Sequence, residues 1–157
     1  MSRDAVFVDS SFLVAVADPG SAEHPAARAA YADLIRRSRT AEVVLVSHAL
    51  AVDAASDWLG ADGRDRSSAF DDLIAPIEIE PARRDALRLA QRTLAAHPGL
   101  DLAQALTLAM MARRKIATIA TVDALYAGYD VKVIPGRDAS NTASESDDGR
   151  PATESGS

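Results

Sequence analysis

Short runs of apolar, β-prone residues alternate with longer stretches of helical periodicity along this chain, and that alternation restricts its fold more than any other feature. Ala5-Val6-Phe7-Val8 stops at Asp9, and Val43-Val44-Leu45-Val46 stops at Ser47. Three further runs follow: Pro76-Ile77-Glu78-Ile79, Ala117-Thr118-Ile119-Ala120-Thr121 and Val131-Lys132-Val133-Ile134. Between the first two, Ala26, Ala27, Ala30, Tyr31, Leu34 and Ile35 recur at helical spacing and predict a helix over 23–38. The same reasoning predicts helices over 11–17, 48–59, 64–74, 81–95 and 102–114, with Pro81 in the first turn of its helix. Asp18-Pro19-Gly20 and His97-Pro98-Gly99 are breaks. Short apolar strands separated by helices imply a parallel sheet covered on both faces, a three-layer α/β domain. No internal repeat interrupts the pattern.

The periodicity holds to Pro135 and then stops. Residues 1–135 read as one domain, and 136–157 as a polar, acidic tail that lacks the apolar surface to offset its ordering entropy. Two arginines face five carboxylates in that tail, which carries half of the net charge of −6. The body is thus mildly acidic and does not resemble a duplex-DNA binder working through phosphate contacts. With no cysteine there is no disulfide framework, thiolate nucleophile or zinc–thiolate site. No apolar run is long enough to span a bilayer and the N-terminus lacks signal-peptide character, so a cytoplasmic protein without a membrane anchor is expected.

The chemistry is concentrated where the predicted strands end. Asp9 follows the first strand, Ser47 the second, and Asp123 lies two residues beyond Thr121. Asp53 sits in the helix after the second strand, and Asp101 opens the helix leading into the fourth. In open α/β sheets, sites form at the carboxyl ends of strands, near a change in strand order. A cluster of carboxylates there suits Mg²⁺ or Mn²⁺, since hard cations take oxygen ligands. Such ions support phosphodiester hydrolysis. For Asp101 a second reading stands: with Gln104 three residues on, it forms a capping-box pattern. Asp53, one turn before Asp57, also reads as a solvated helix residue.

Val6-Phe7-Val8-Asp9-Ser10-Ser11 resembles the opening of PIN domains, in which a strand ends in Asp followed by small hydroxyl residues. Thr121-Val122-Asp123-Ala124-Leu125-Tyr126 is similar to that family's late motif of Thr, any residue, Asp, any two residues and an aromatic. The segment from Val44 to Asp53 resembles its second acidic motif, with Ser47 before the helix. The resemblance spans Val6 to Ile134, and the order and spacing of the motifs carry it. It implies a metal-dependent endoribonuclease like the VapC toxins of toxin–antitoxin pairs, a homodimer blocked by a small antitoxin. On this reading Asp9 and Asp123 are metal ligands, with Asp53 a weaker ligand or water-orienting group. Ser10, Ser11, Ser47 and Thr121 support them. Two positions depart from the family: Asp53 replaces the usual Glu, retracting the carboxylate by roughly 1.5 Å, and Gln104 replaces the usual Asp. Gln104, which can offer a metal its carbonyl oxygen but no charge, or Asp101, leaning in to compensate, is then the defective fourth metal position.

The alternative is a degenerate PIN-like domain that binds RNA or a protein without cleaving. A phosphatase or receiver domain fits poorly, because no second acid lies two residues after Asp9 and no acidic pair precedes it. There is no Gly-x-Ser-x-Gly elbow and no glycine-rich phosphate loop. Arg36-Arg37-Ser38-Arg39 and Arg113-Arg114-Lys115 are candidate RNA contacts, but both fall at helix C-termini, where cations also favour the helix dipole. His24, His48 and His97 share no ligand spacing and read as caps or surface residues.

Overall fold

The computed structural model describes residues 3–61 and 67–136. Apart from Gly136, the predicted tail lies outside them, as does the predicted start of the fourth helix at 64–66. Five strands form the sheet: β1 (Asp4–Val8), β2 (Val43–His48), β3 (Glu78–Glu80), β4 (Thr118–Ala120) and β5 (Lys132–Ile134). Their order is β3-β2-β1-β4-β5, and every pairing is parallel. The helices are α1 (Ser10–Ala17), α2 (His24–Arg39), α3 (Ala49–Gly60), α4 (Ser67–Ile74), α5 (Arg84–Ala96) and α6 (Leu102–Arg114). A 3₁₀ turn, Ala124–Gly128, joins β4 to β5. None of the described helices is long and apolar enough to cross a membrane.

Successive side chains of a strand face opposite sides, and β1 displays this directly. Val6 and Val8 pack with Phe12, Leu13, Leu34, Leu59 and Phe70 of α1 to α4. Phe7, between them, packs with Val46, Met111, Ile119 and Tyr126 on the other side. A third apolar group, including Ala86, Ala90, Leu106 and Met110, joins α5 to α6. Both faces of β1 are therefore covered, as its unbroken apolar run requires. The chain winds from β1 outward to β2 and β3, then returns to β4 on the opposite side of β1. The strand order reverses between β1 and β4, and a crevice opens at their carboxyl ends.

Most boundaries shift by a residue or two from the sequence reading, and three of the shifts are informative. β2 runs on through Ser47 and His48, because both are buried and pair with Ile79 and Glu80 of β3. The third strand is shifted to Glu78–Glu80. Pro81 precedes α5 by three residues instead of opening it, and Arg83 is the N-cap residue, in extended backbone.

Candidate active site

Asp9 is the residue where β1 becomes α1. Its backbone N–H still belongs to the sheet, donating to the Ala120 carbonyl at 3.0 Å. Its side chain caps α1 by accepting from the Ser11 N–H at 3.3 Å. The carboxylate is only 5% exposed. Oδ2 also accepts from the hydroxyls of Ser11 at 2.7 Å and Thr121 at 3.0 Å. Oδ1 has one long contact, 3.4 Å from the Tyr126 hydroxyl. Burial pushes the carboxyl above the usual aspartate range; the Ser11 and Thr121 hydrogen bonds oppose that shift, and the Asp123 charge adds to it.

Thr121 joins the two acids. Its hydroxyl oxygen donates to Asp9 and accepts from the Asp123 N–H at 3.0 Å, while its own N–H donates to Ile134 of β5 at 2.9 Å. Ser11 closes the arrangement, lying 3.0 Å from the Thr121 hydroxyl and accepting from the Val122 N–H at 3.2 Å. Asp123 caps the 3₁₀ turn through Oδ1, which accepts from the Leu125 N–H at 2.9 Å. Thr121 thus links the Asp9 carboxylate to the backbone of Asp123 where β1 and β4 end, and the charge of Asp123 is felt at Asp9. Among the described residues, no Lys or Arg hydrogen-bonds or pairs with either.

The remaining predicted site residues divide. Gln104 reaches Asp123, its Nε2 donating to Oδ2 at 3.1 Å. Its Oε1 meanwhile accepts from the Asp101 N–H at 2.9 Å, and Asp101 Oδ1 accepts from the Gln104 N–H at 2.7 Å. The capping box predicted for these two residues is formed in full. These contacts fix the orientation of the Gln104 amide, because a flip would oppose donor to donor and acceptor to acceptor. As placed, Gln104 gives Asp123 a proton and turns its oxygen away. Ser47 is wholly buried and donates to the Val8 carbonyl at 2.8 Å, tying β2 to the strand that delivers Asp9. Ser10 is half-buried in the first turn of α1, and Asp53 is exposed on α3. No group of three or more His, Cys, Asp and Glu side chains suited to a metal occurs among the described residues.

The basic segments lie elsewhere. Arg113 pairs with Asp85 and Glu80, and Arg114 with Glu80. Arg36 and Arg37 pair with Asp33, and Arg37 also with Glu42. Since α2 leads into the amino end of β2, Arg36 to Arg39 stand at the sheet edge opposite Asp9.

Sequence reading missed Thr107, the inward hydroxyl of Tyr126 and the burial of His48. Tyr126 and His48 are both 0% exposed, behind the two acids. His48 is the N-cap of α3, accepting from the Ala51 N–H at Nδ1 (3.0 Å). Its Nε2 therefore carries the proton and donates to Thr107 Oγ1 at 2.9 Å. Burial lowers the imidazole pKa to about 4. The aromatic of the late motif was visible in the sequence as Tyr126. Nothing local signalled that its hydroxyl points inward.

No family model matches this chain, and no curated protein matches it. Among solved structures, VapC20 of Mycobacterium tuberculosis, a sarcin–ricin loop cleaving toxin, superposes with a TM-score of 0.66 at 19% identity. The match covers 81% of this chain and 98% of that one. VapBC2 of Rickettsia felis, bound to a DNA fragment from its promoter, superposes with a TM-score of 0.54 at 9% identity, covering 82% of this chain and 96% of that one. The five-stranded parallel sheet with its flanking helices is therefore the PIN-like fold that these VapC structures share.

Proposed function

We propose that this protein is a divalent-cation-dependent endoribonuclease of weakened activity, the toxin of a toxin–antitoxin pair. The observation that carries the reading is the Asp9–Thr121–Asp123 cluster at the switch point, two acids linked through one hydroxyl with only neutral donors around them. Carboxylates held together in partial burial call for a cation, and among the described residues no basic side chain supplies one. The donor set fits Mg²⁺ or Mn²⁺, because Mg²⁺ keeps several waters and is held by one or two carboxylates. Asp9, through Oδ1, and Asp123 would hold it. Bound there, the ion would lower the pKa of water and offset charge on the phosphoryl group. Ser11 and Thr121 hold Asp9 Oδ2, and Oδ1 has only the long contact to Tyr126. Asp53 is proposed as a weaker ligand or water-orienting group, Gln104 or Asp101 as the defective fourth position, and Ser10 as a supporting hydroxyl.

RNA as substrate follows from the resemblance of the motifs and from the fold shared with a toxin that cleaves the sarcin–ricin loop. The fold shared with VapBC2 likewise supports a small antitoxin as partner. A homodimer and a cytoplasmic setting complete the proposal by resemblance. One observation favours the second reading, a PIN-like domain that binds without cleaving: the Gln104 amide already satisfies Asp123. Incubating a fluorescent RNA panel with the full chain separates the two. The proposal expects slow cleavage with Mg²⁺ or Mn²⁺, abolished by a chelator and by Asp9→Asn or Asp123→Asn. RNA binding with no cleavage at any metal concentration overturns it in favour of the second reading.

A further inference from the structure

We infer that Tyr126 is a positioning residue for Asp9: its buried hydroxyl, backed by Thr107 and His48, sets the plane of the carboxylate and the direction of Oδ1. The inference rests on the metal-binding role proposed for Asp9. An aspartate's terminal torsion is broad and roughly two-fold, and its two oxygens turn together, so a donor at Oδ1 acts on the same torsion as the donors at Oδ2 and narrows it from the other side. Ser11 and Thr121 anchor Oδ2, and Tyr126, at 3.4 Å, is the side chain that approaches Oδ1. Burial raises the phenol pKa far above its ordinary value and the Asp9 charge raises it further, so Tyr126 stays protonated and remains a donor.

Behind it the polar groups continue away from the crevice. The Thr107 hydroxyl lies beside that of Tyr126 and donates to the Ala103 carbonyl at 3.0 Å. His48 donates to Thr107 and shares its proton with the same carbonyl at 3.2 Å, and its ring lies 5.4 Å from that of Phe7. The ends of β1 and β2, helix α6 and the 3₁₀ turn each contribute one member. Phe and Val would fill positions 126 and 107 without any polar group to satisfy, whereas His48 also caps α3. The polar set has a purpose if it fixes Asp9.

The test uses the full chain, Tyr126→Phe, and the pair Thr107→Val and Thr107→Ser. In chelator, the Asp9 carboxyl ¹³C shift and the slowly exchanging Tyr126 hydroxyl proton are read by NMR; Mn²⁺ affinity is then read by calorimetry. Tyr126→Phe should move the Asp9 shift and weaken Mn²⁺ binding roughly tenfold, as loss of a group orienting a ligand does. Thr107→Val should displace the hydroxyl proton and move the Asp9 shift in the same direction, and Thr107→Ser should restore both. An Asp9 shift indifferent to Tyr126→Phe and to Thr107→Val overturns the inference, and the threonine pair decides it if Tyr126→Phe does not fold. If the wild type takes no Mn²⁺ while the shifts respond as expected, the metal reading falls and the positioning contact is upheld.

Discussion

At the scale of single residues, burying the Asp9 carboxylate costs stability at neutral pH. Its folded pKa lies above the unfolded value of 3.8, chiefly through burial. Protonation therefore favours the folded state: the contribution is fully present below the unfolded pKa and is lost as pH rises through the folded one. Asp9→Asn keeps the shape, placing its oxygen toward Ser11 and Thr121 and its amide toward Tyr126. In chelator the variant should be more stable than wild type at pH 7 by about 1 kcal/mol, as found when a strained site is relaxed. Chemical denaturation at pH 7 and pH 4 checks this, and the difference should shrink toward pH 4. Asp9 and Asp123 were legible in the sequence because a strand followed by Asp is a local pattern. Ser11 and Thr121 were legible as their neighbours. The roles of Tyr126, Thr107 and His48 were not, since they depend on what α6 and the 3₁₀ turn bury against one another.

Among the elements, α6 carries the side chain with the most divided role. Gln104 serves both the cap of α6 and the Asp123 carboxylate. Gln104→Asp removes the bond back to the Asp101 N–H, which a shorter side chain does not reach, and sets a third carboxylate beside Asp123. In chelator the variant should lose about 1 kcal/mol, the usual worth of a capping interaction. With Mn²⁺ it should recover that loss and bind the ion more tightly than wild type, a reversal that calorimetry and thermal melts would both record. The cap was readable because a capping box lies within four residues; its second contact, to Asp123 nineteen positions away, was not. His48 governs the start of α3. Its folded pKa of about 4 is below the ordinary 6.5, so its contribution is present above 6.5 and lost as pH falls through 4. Relative to His48→Asn, which can still cap α3, the wild type should lose up to ~3 kcal/mol over that window. Denaturant midpoints at pH 7 and pH 4.5 measure it. The ends of β2, β3 and α5 were misread by one to three residues because cross-strand pairing, not local composition, sets them.

For the whole molecule, the alternation of strands and helices made the architecture legible. The strand order, with β1 central and the reversal beside it, follows from burial on both faces of Val6-Phe7-Val8. That topology brings the end of β1 to the end of β4, although 112 residues separate Asp9 from Thr121. It also places the arginines of α2 at the far edge, so the residues that meet at the site are acidic and hydroxylic. The account stands on those two carboxylates forming the cation site. A Mn²⁺ titration followed by NMR line broadening reads this without reliance on substrate. Broadening should begin at Ser10, Ser11, Val122 and Asp123 and disappear in Asp123→Asn. Broadening centred on another acidic stretch, or none at these four residues up to about 10 mM Mn²⁺, well beyond even the weak 10⁻⁴–10⁻³ M class of divalent-ion sites, would contradict it.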